Sequence, residues 1–368
     1  MPERYLVTGG AGFIGSHIVN ALLAAGNDVV VIDNRSRPGD AGELDYLADT
    51  EYVWADLADL DTVEKVVRGV DVVVHQAAQV GAGQSMFEIK RYVDGNVSGT
   101  ATLLQAIINA GTVRKIVLAS SMSVYGEGMY ECAACGSVRP TERSLDRLAA
   151  GRWEQTCPNC VREVRPLPMP ETATLAPTSV YGASKRNQEE LCVITGRAYE
   201  IPTTCFRYFG VYGRRQLLTN PYTGIVAMFA ARLVNRRPPL VFEDGQQIRD
   251  LIHVHDVCDA VLAACPEHSP EGVFNLGTGT GVTIARVARI LAEYIAPDVE
   301  PEIPKLYRKG DIRHCFGDMH RYRIAFGAGP RVPLETGLRQ VAEWAIEHAG
   351  PESIDLMRRE LSERRLLI

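Results

Sequence analysis

The chain has 368 residues, 46% of them hydrophobic and 23% charged, with a formal net charge of -6 at neutral pH. That balance excludes a disordered or fibrous chain, and it lacks the clustered cations that nucleic-acid binding requires. The opening "MPERYLVTGG" has no positive flank followed by an apolar core and a cleavage site, and no apolar run reaches spanning length, so a cytoplasmic protein without membrane attachment is expected.

Strand-length apolar runs alternate with helical stretches through the first third: "RYLVTGG", a helix over 12–26, "DVVVIDN", "EYVWAD", "DVVVHQAA", a helix over 96–110 and "KIVLASS". Continuous apolar strands separated by helices predict an α/β fold with a doubly wound parallel (Rossmann) sheet, covered on both faces. Residues 128–172 break the rhythm with Pro, Gly and Cys, and "YGASKRNQEELCVITGRAYE" resumes a long helix. Beyond "TTCFRYFGVYG" the elements shorten, with helical periodicity at 224–235, 256–264, 283–295 and 334–348 and a charged tail that reads as helix or frayed end. The expected organisation is a Rossmann domain over 1–205 with an insertion at 128–172, and a smaller substrate lobe drawn mainly from 206–368 and interleaved with it.

"VTGGAGFIGS" places Gly9, Gly12 and Gly15 directly after a strand and at the opening of a helix. Missing side chains let the backbone approach a pyrophosphate at the helix N-terminus, although a merely tight strand-to-helix turn would use the same glycines. Asp33 ends the second strand, where a carboxylate accepts from ribose hydroxyls and repels a 2′-phosphate, so NAD is favoured over NADP. Asp56 closes "EYVWAD" and fits either an adenine edge or a helix N-cap. Tyr181 and Lys185 stand at i and i+4, on one face of one helix. The ammonium, helped by a positive nicotinamide, favours phenolate, which makes Tyr181 a candidate base. "LASSMSVYG" supplies Ser121, whose hydroxyl can hold the same substrate oxygen. Alone such a Tyr/Lys pair is usually a surface coincidence; behind a complete dinucleotide site it reads as catalytic.

On these motifs the chain resembles the extended short-chain dehydrogenase/reductases, and among them the nucleotide-sugar epimerases, over nearly everything except the insertion. The resemblance implies Ser121, Tyr181 and Lys185 as the triad, with Tyr181 and Lys185 also at the cofactor beside Phe13, Ile14, Asn34, Leu57 and Ala77. Asn96 in "DGNVSGT" is either a further cofactor contact or a helix-start polar group. "QQIRDLIHVHD" and "YRKGDIRH" resemble the family's diphosphate-binding segments, which implies that Arg249 and Arg308 clamp two phosphates, that Asp311 meets the nucleotide ribose and that Ser123 joins Ser121 at the substrate. Guanidinium forks suit phosphate oxygens on chemical grounds alone. One departure is Gly210, where the family usually has Asn; Asn220 in "LLTNPYTGI" is the candidate replacement. The helices after Tyr92 and after Tyr181 would pair across a two-fold axis in a homodimer.

The family reaction implied is oxidation at sugar C4 to a transient 4-keto sugar. Dehydratases and decarboxylases of the family carry acids in the two positions before "VYG", where this chain has Met122 and Ser123. Return of the hydride to the opposite face, 4-epimerization, is the fate left. "NPYTGI", "RPPLVFEDGQQIRD" and the paired cysteines resemble dTDP-L-rhamnose 4-epimerases, which form dTDP-6-deoxy-L-talose. A UDP-hexose or UDP-uronic acid 4-epimerase is the alternative. A non-catalytic NAD-binding regulator is a third reading, and it leaves the triad without a use.

Cys132 and Cys135 in "MYECAACGSVRP", with Cys157 and Cys160 in "TCPNCV", form two CxxC knuckles. Four thiolates close a tetrahedral shell, which predicts one structural Zn2+, with disulfides or free thiols as the other reading. Six Arg balance six Asp plus Glu across 128–172, so a nucleic-acid role for the knuckles is not expected. Cys192, Cys205, Cys258, Cys265 and Cys315 read as small buried apolar residues, and His253 and His255 as structural rather than metal-binding.

Overall fold

A computed structural model describes residues 3–36, 48–220, 222, 224–327, 329–348, 350 and 353–368. The strands are β1 (Arg4–Thr8), β2 (Asp28–Asp33), β3 (Glu51–Trp54), β4 (Val72–His75), β5 (Lys115–Ser121), β6 (Met129–Cys132), β7 (Gly136–Val138), β8 (Arg165–Leu167), β9 (Thr203–Tyr208), β10 (Gly210–Tyr212), β11 (Ile248–His253), β12 (Gly272–Leu276), β13 (Gly281–Thr283) and β14 (His314–Cys315). Seven of them form one sheet in the order β12-β9-β5-β4-β1-β2-β3, with every pairing parallel.

The apolar runs are continuous because both faces are buried. Val7, Val31, Val74 and Val117 enter the core on one face, and Leu6, Val30, Val73 and Ile116 enter the core on the other, as the two-residue period of a strand requires. Strand order runs outward in both directions from β1 and β4, so the crevice at their C-terminal ends is the place where an open α/β sheet receives a ligand.

The second lobe is built on β10, β11 and β13, with β14 beside β11. Helices Ile225–Val234, Ile284–Ile295 and Leu334–Glu347 close over it through Phe229, Leu291 and Leu338. Between β11 and β13 the chain returns β12 to the edge of the large sheet, against β9.

Within residues 128–172, β7-β6-β8 make a three-stranded antiparallel sheet. Its own core is Tyr130, Val138, Cys132 and Cys157, too little apolar surface to stabilise a fold alone.

The helices fall close to their sequence expectations, with two instructive shifts. The one expected over 96–110 opens with a π-helical turn at Val93–Ser98 before the α-helix Gly99–Ala110. The one expected from 256 starts earlier, as Val254–Ala264, because the His253 ring caps it by accepting from the His255 N–H at 3.3 Å. The tail forms a helix, Ile354–Glu363. Among the described residues, no helix is long and apolar enough to cross a membrane.

Candidate active site

A cavity of about 530 Å³ lies over the C-terminal ends of β1, β2, β4 and β5. At one end are Gly9, Gly12, Phe13 and Ile14, where β1 turns into the helix Phe13–Ala24. A Cβ on Gly15 would stand 2.2 Å from the Gly9 carbonyl oxygen, so only glycine lets this helix start so close to the strand end. The Asp33 carboxylate closes the turn by accepting from the Ala11 N–H at 3.1 Å and the Arg35 N–H at 2.8 Å. Asn34, Asp56, Leu57 and Ala77 line the same end. Asp56 accepts from Asn34 Nδ2 at 2.6 Å and from the Ala58 N–H at 2.8 Å, so it caps the following turn while facing the cavity.

At the middle, Ser121, Ser123, Tyr181 and Lys185 converge on the cavity wall. Ser121 ends β5 and its Oγ accepts from the Ser123 N–H at 3.1 Å, which fixes the turn that follows. Ser179 caps the helix Val180–Ala198 by accepting from the Gly182 N–H at 3.0 Å, and the helix carries Tyr181 and Lys185 inward. Burial pushes the Tyr181 phenol up, and the Ser121 hydroxyl acts against it. Burial also pulls Lys185 down to about 8. Lys185 Nζ donates to Gln188 Oε1 at 2.6 Å.

At the far end are Asn220 and Arg249. Arg249 donates to the carbonyls of Ile312 at 2.6 Å and Arg313 at 3.1 Å, and approaches Asp311 at 3.8 Å. Arg308 and Asp311 lie behind Arg249, off the cavity wall, and pair with each other at 3.0 Å. Burial opposes ionisation of Asp311, and the guanidinium groups of Arg308, Arg249 and Arg143 outweigh it and hold the carboxyl below its ordinary value. Gly210 has an evident steric reason: a Cβ there would meet Leu251 Cδ2 at 2.7 Å and the Asp250 carbonyl at 3.0 Å. Asn96 is also kept out of the cavity. It is fully buried, accepting from the Gln79 N–H at 2.6 Å and donating to Ser184 Oγ at 2.8 Å. It therefore ties the loop after β4 to the helix that carries Tyr181.

Sequence reasoning missed Gln76. It follows β4 at a sheet C-terminus, the signal that would have found it, and its buried Nε2 has no partner among the described residues while its side chain lines the cavity. An unsatisfied donor beside a glycine turn and a strand-end carboxylate fits a polar dinucleotide.

The four predicted metal-ligand cysteines also come together. The Sγ atoms of Cys132, Cys135, Cys157 and Cys160 all lie within 4.8 Å of one another. Four sulfurs around a tetrahedral zinc stand roughly 3.8 Å apart, so a small contraction suffices. The other five cysteines are buried.

The family model for the NAD dependent epimerase/dehydratase family matches residues 5–143 and 161–277. The chain belongs to that family. The break in the match, residues 144–160, contains the second cysteine knuckle, while Cys132 and Cys135 of the first lie inside the matched range. A dTDP-L-rhamnose 4-epimerase of Burkholderia thailandensis is 35% identical over 94% of this chain and 95% of its own length. The crystal structure of a Thermotoga maritima UDP-glucose 4-epimerase with UDP-glucose superposes with a TM-score of 0.77 at 31% identity, covering 94% of this chain and 99% of that one. A Thermus thermophilus UDP-glucose 4-epimerase in complex with NAD has a TM-score of 0.72 at 32% identity, covering 93% of this chain and 98% of that one. The family resemblance read from the motifs is thus met, and these three relatives are nucleotide-sugar epimerases.

Proposed function

We propose that the protein is an NAD-dependent nucleotide-sugar 4-epimerase whose substrate is dTDP-L-rhamnose and whose product is dTDP-6-deoxy-L-talose. The observation that carries the reaction class is the convergence of the glycine turn with Asp33, the group Ser121, Tyr181 and Lys185, and Arg249 along one cavity. Bound NAD would supply the acceptor for hydride from sugar C4 and the same hydride for its return, so that no net oxidation would result. Asp33 receives the adenosine ribose hydroxyls, and Gln76 Nε2 supplies a donor to the bound dinucleotide. Ser121 holds O4 of the sugar and Tyr181 takes its proton, then gives it back. Lys185 stabilises the phenolate through its charge and holds the second ribose. Arg249 and Arg308 bind the diphosphate, Arg308 by leaving Asp311, which then meets the nucleotide ribose; Asn220 and Ser123 complete the substrate side. Met122 and Ser123 offer no acid or base for dehydration or decarboxylation, and this favours simple inversion.

The choice of sugar rests on the Burkholderia relative and the shared sequence stretches. A UDP-hexose is the second reading, favoured by the Thermotoga structure with UDP-glucose. Incubation with dTDP-L-rhamnose, UDP-glucose and UDP-glucuronate in parallel, with NMR of the products, decides between them. Inversion at C4 of dTDP-L-rhamnose alone is the expected result; inversion of a UDP sugar alone overturns the choice of substrate and leaves the reaction class.

We further infer a structural Zn2+ on Cys132, Cys135, Cys157 and Cys160, since a closed thiolate shell leaves no open position for catalysis. The insertion then needs the metal because its core is so small. Reduced thiols at this site suit a cytoplasmic protein. A homodimer is proposed through the helices after Tyr92 and Tyr181, where Val93 and Ile194 are exposed apolar side chains; light scattering at twice the monomer mass is the expected outcome.

A further inference from the structure

Lys185 is 3% exposed and makes no ion pair among the described residues. What holds its ammonium is Gln188 Oε1, at 2.6 Å, from one turn along the same helix. Gln188 is itself fully buried. Its Nε2 donates to Thr100 Oγ1 at 2.7 Å and stands 3.3 Å from His75 Nε2. These neighbours lock the amide with its oxygen toward the lysine. The chain of contacts continues: His75 Nε2 lies 2.9 Å from Thr100 Oγ1, and its Nδ1 lies 2.7 Å from Thr8 Oγ1. Thr8 Oγ1 also accepts from the Ala77 N–H at 3.1 Å, at the cofactor end of the cavity.

Each ionisable neighbour of this pair is accounted for. Burial and then the Lys185 charge pull His75 down to about 3, so it is neutral. Glu189 is taken by Arg207, at 2.5 and 2.9 Å, and by the Ser120 hydroxyl at 2.7 Å. Burial pushes the thiols of Cys192 and Cys205 up, so they carry no charge. Tyr92, whose ring meets that of Tyr181 edge-on at 6.3 Å, is also pushed up by burial. The lysine is thus held by a neutral dipole, not by a counter-ion.

We propose that Gln188 is a positioning residue that fixes Lys185 Nζ without neutralising it, so that the full field of the ammonium reaches the Tyr181 phenol. A glutamate at 188 would reach the same ammonium with nearly the same shape and cancel its charge. A carboxylate in this low-dielectric setting would raise the energy of the phenolate. The proposal deepens the assignment of Tyr181 as base and rests on it.

The test is the pH profile of kcat for Gln188→Glu and Gln188→Met in the NAD-loaded enzyme, beside Tyr181→Phe. Gln188→Glu should move the acid limb of the profile upward by about one pH unit, a roughly tenfold loss at neutral pH that is recovered at higher pH. KM should stay within about twofold, because the substrate contacts are untouched. Gln188→Met keeps the volume but drops the acceptor; kcat should fall at every pH and NAD should dissociate more readily, since Lys185 is no longer held. Ultraviolet titration of tyrosinate, taken as the difference from Tyr181→Phe, should show the same upward shift in Gln188→Glu without any turnover. An unshifted limb in Gln188→Glu, with Tyr181→Phe inactive, overturns the role of Gln188 and leaves Tyr181 as base. Full turnover in Tyr181→Phe overturns both.

Discussion

Arg313 and Glu243 meet at 2.8 Å with both side chains shut away from solvent. Arg143 bonds the same carboxylate at 2.8 and 2.9 Å and donates to the Asp311 carbonyl at 2.9 Å. A residue of the insertion is thereby joined, through one buried carboxylate, to the segment that carries Arg308 and Asp311. Removing one member of such a cluster strands a buried charge, which costs about 3 kcal/mol or more. Glu243→Gln should therefore lower stability by roughly that amount in urea unfolding at neutral pH. Affinity for a nucleoside diphosphate should weaken with it. Unfolding and binding both within error of wild type would show that the pairing with the arginines does not carry the segment.

Tyr181→Phe removes one hydroxyl from a half-buried ring and leaves the edge-on contact with Tyr92 in place. The expected outcome is an unchanged melting temperature, retained NAD and turnover down by about 10³-fold, the scale of a lost general base. Progress curves by NMR at fixed enzyme concentration measure it. Turnover near wild type would remove Tyr181 from the proton transfer.

The sheet was readable because both of its faces are buried, which leaves unbroken apolar runs such as "DVVVHQAA". The turn glycines, Asp33, the Tyr181 and Lys185 pair and the two CxxC knuckles were readable because each is a short-range pattern whose spacing reflects local geometry. Gln76, Gln188 and Glu127 were not. Glu127 accepts from the Arg313 N–H at 3.0 Å and the His314 N–H at 3.2 Å across just over half the chain, and nothing in "VYGEGMY" announces it. Asn96 reads in the sequence as a cofactor contact or a helix-start polar group, but it lies inside the π-helical turn Val93–Ser98, and which way its amide faces depends on Ser184, a partner 88 residues away.

Asp33 serves two ends at once, holding the Ala11 and Arg35 amides while facing the cavity. Asp33→Ala should weaken NAD by tenfold or more, about the value of two charge-assisted hydrogen bonds, and NADP by less. Fluorescence titrations with both cofactors measure the ratio. Equal losses would mean that the carboxylate acts only on the turn.

Lys185 carries a pH signature of its own. Its folded value lies near 8 against an ordinary 10.5, because burial disfavours the ammonium. Between these values the unfolded chain binds more protons than the folded one, so stability rises with pH across that window. Below about 8 the full cost of burying the charge is present, of the order of 3 kcal/mol. Lys185→Met in the cofactor-free protein should therefore stabilise at neutral pH and flatten the profile from 8 to 10.5. Urea unfolding across the window, wild type minus variant, tests the slope; a difference that does not change with pH would mean Lys185 titrates as an ordinary lysine.

The cysteine knuckles reach the substrate side by a short route. Cys132 ends β6, and Glu127, just before that strand, accepts from the Tyr130 hydroxyl at 2.7 Å and from Gln155 Nε2 at 3.0 Å. Gln155 lies two residues before Cys157, so both knuckles lean on one carboxylate that also holds the Arg313 and His314 amides. If a single ion closes the four thiolates, elemental analysis of purified protein should give about one zinc per chain. Cys157→Ser with Cys160→Ser should release it and loosen the insertion, read as faster amide exchange across 128–172. Sugar-nucleotide affinity should fall with the metal, because the Arg308 segment loses its support. NAD should stay bound, since the glycine turn and Asp33 lie at the opposite end of the cavity. A metal-free preparation with full affinity, or a variant that keeps affinity and loses only turnover, would contradict a purely structural zinc.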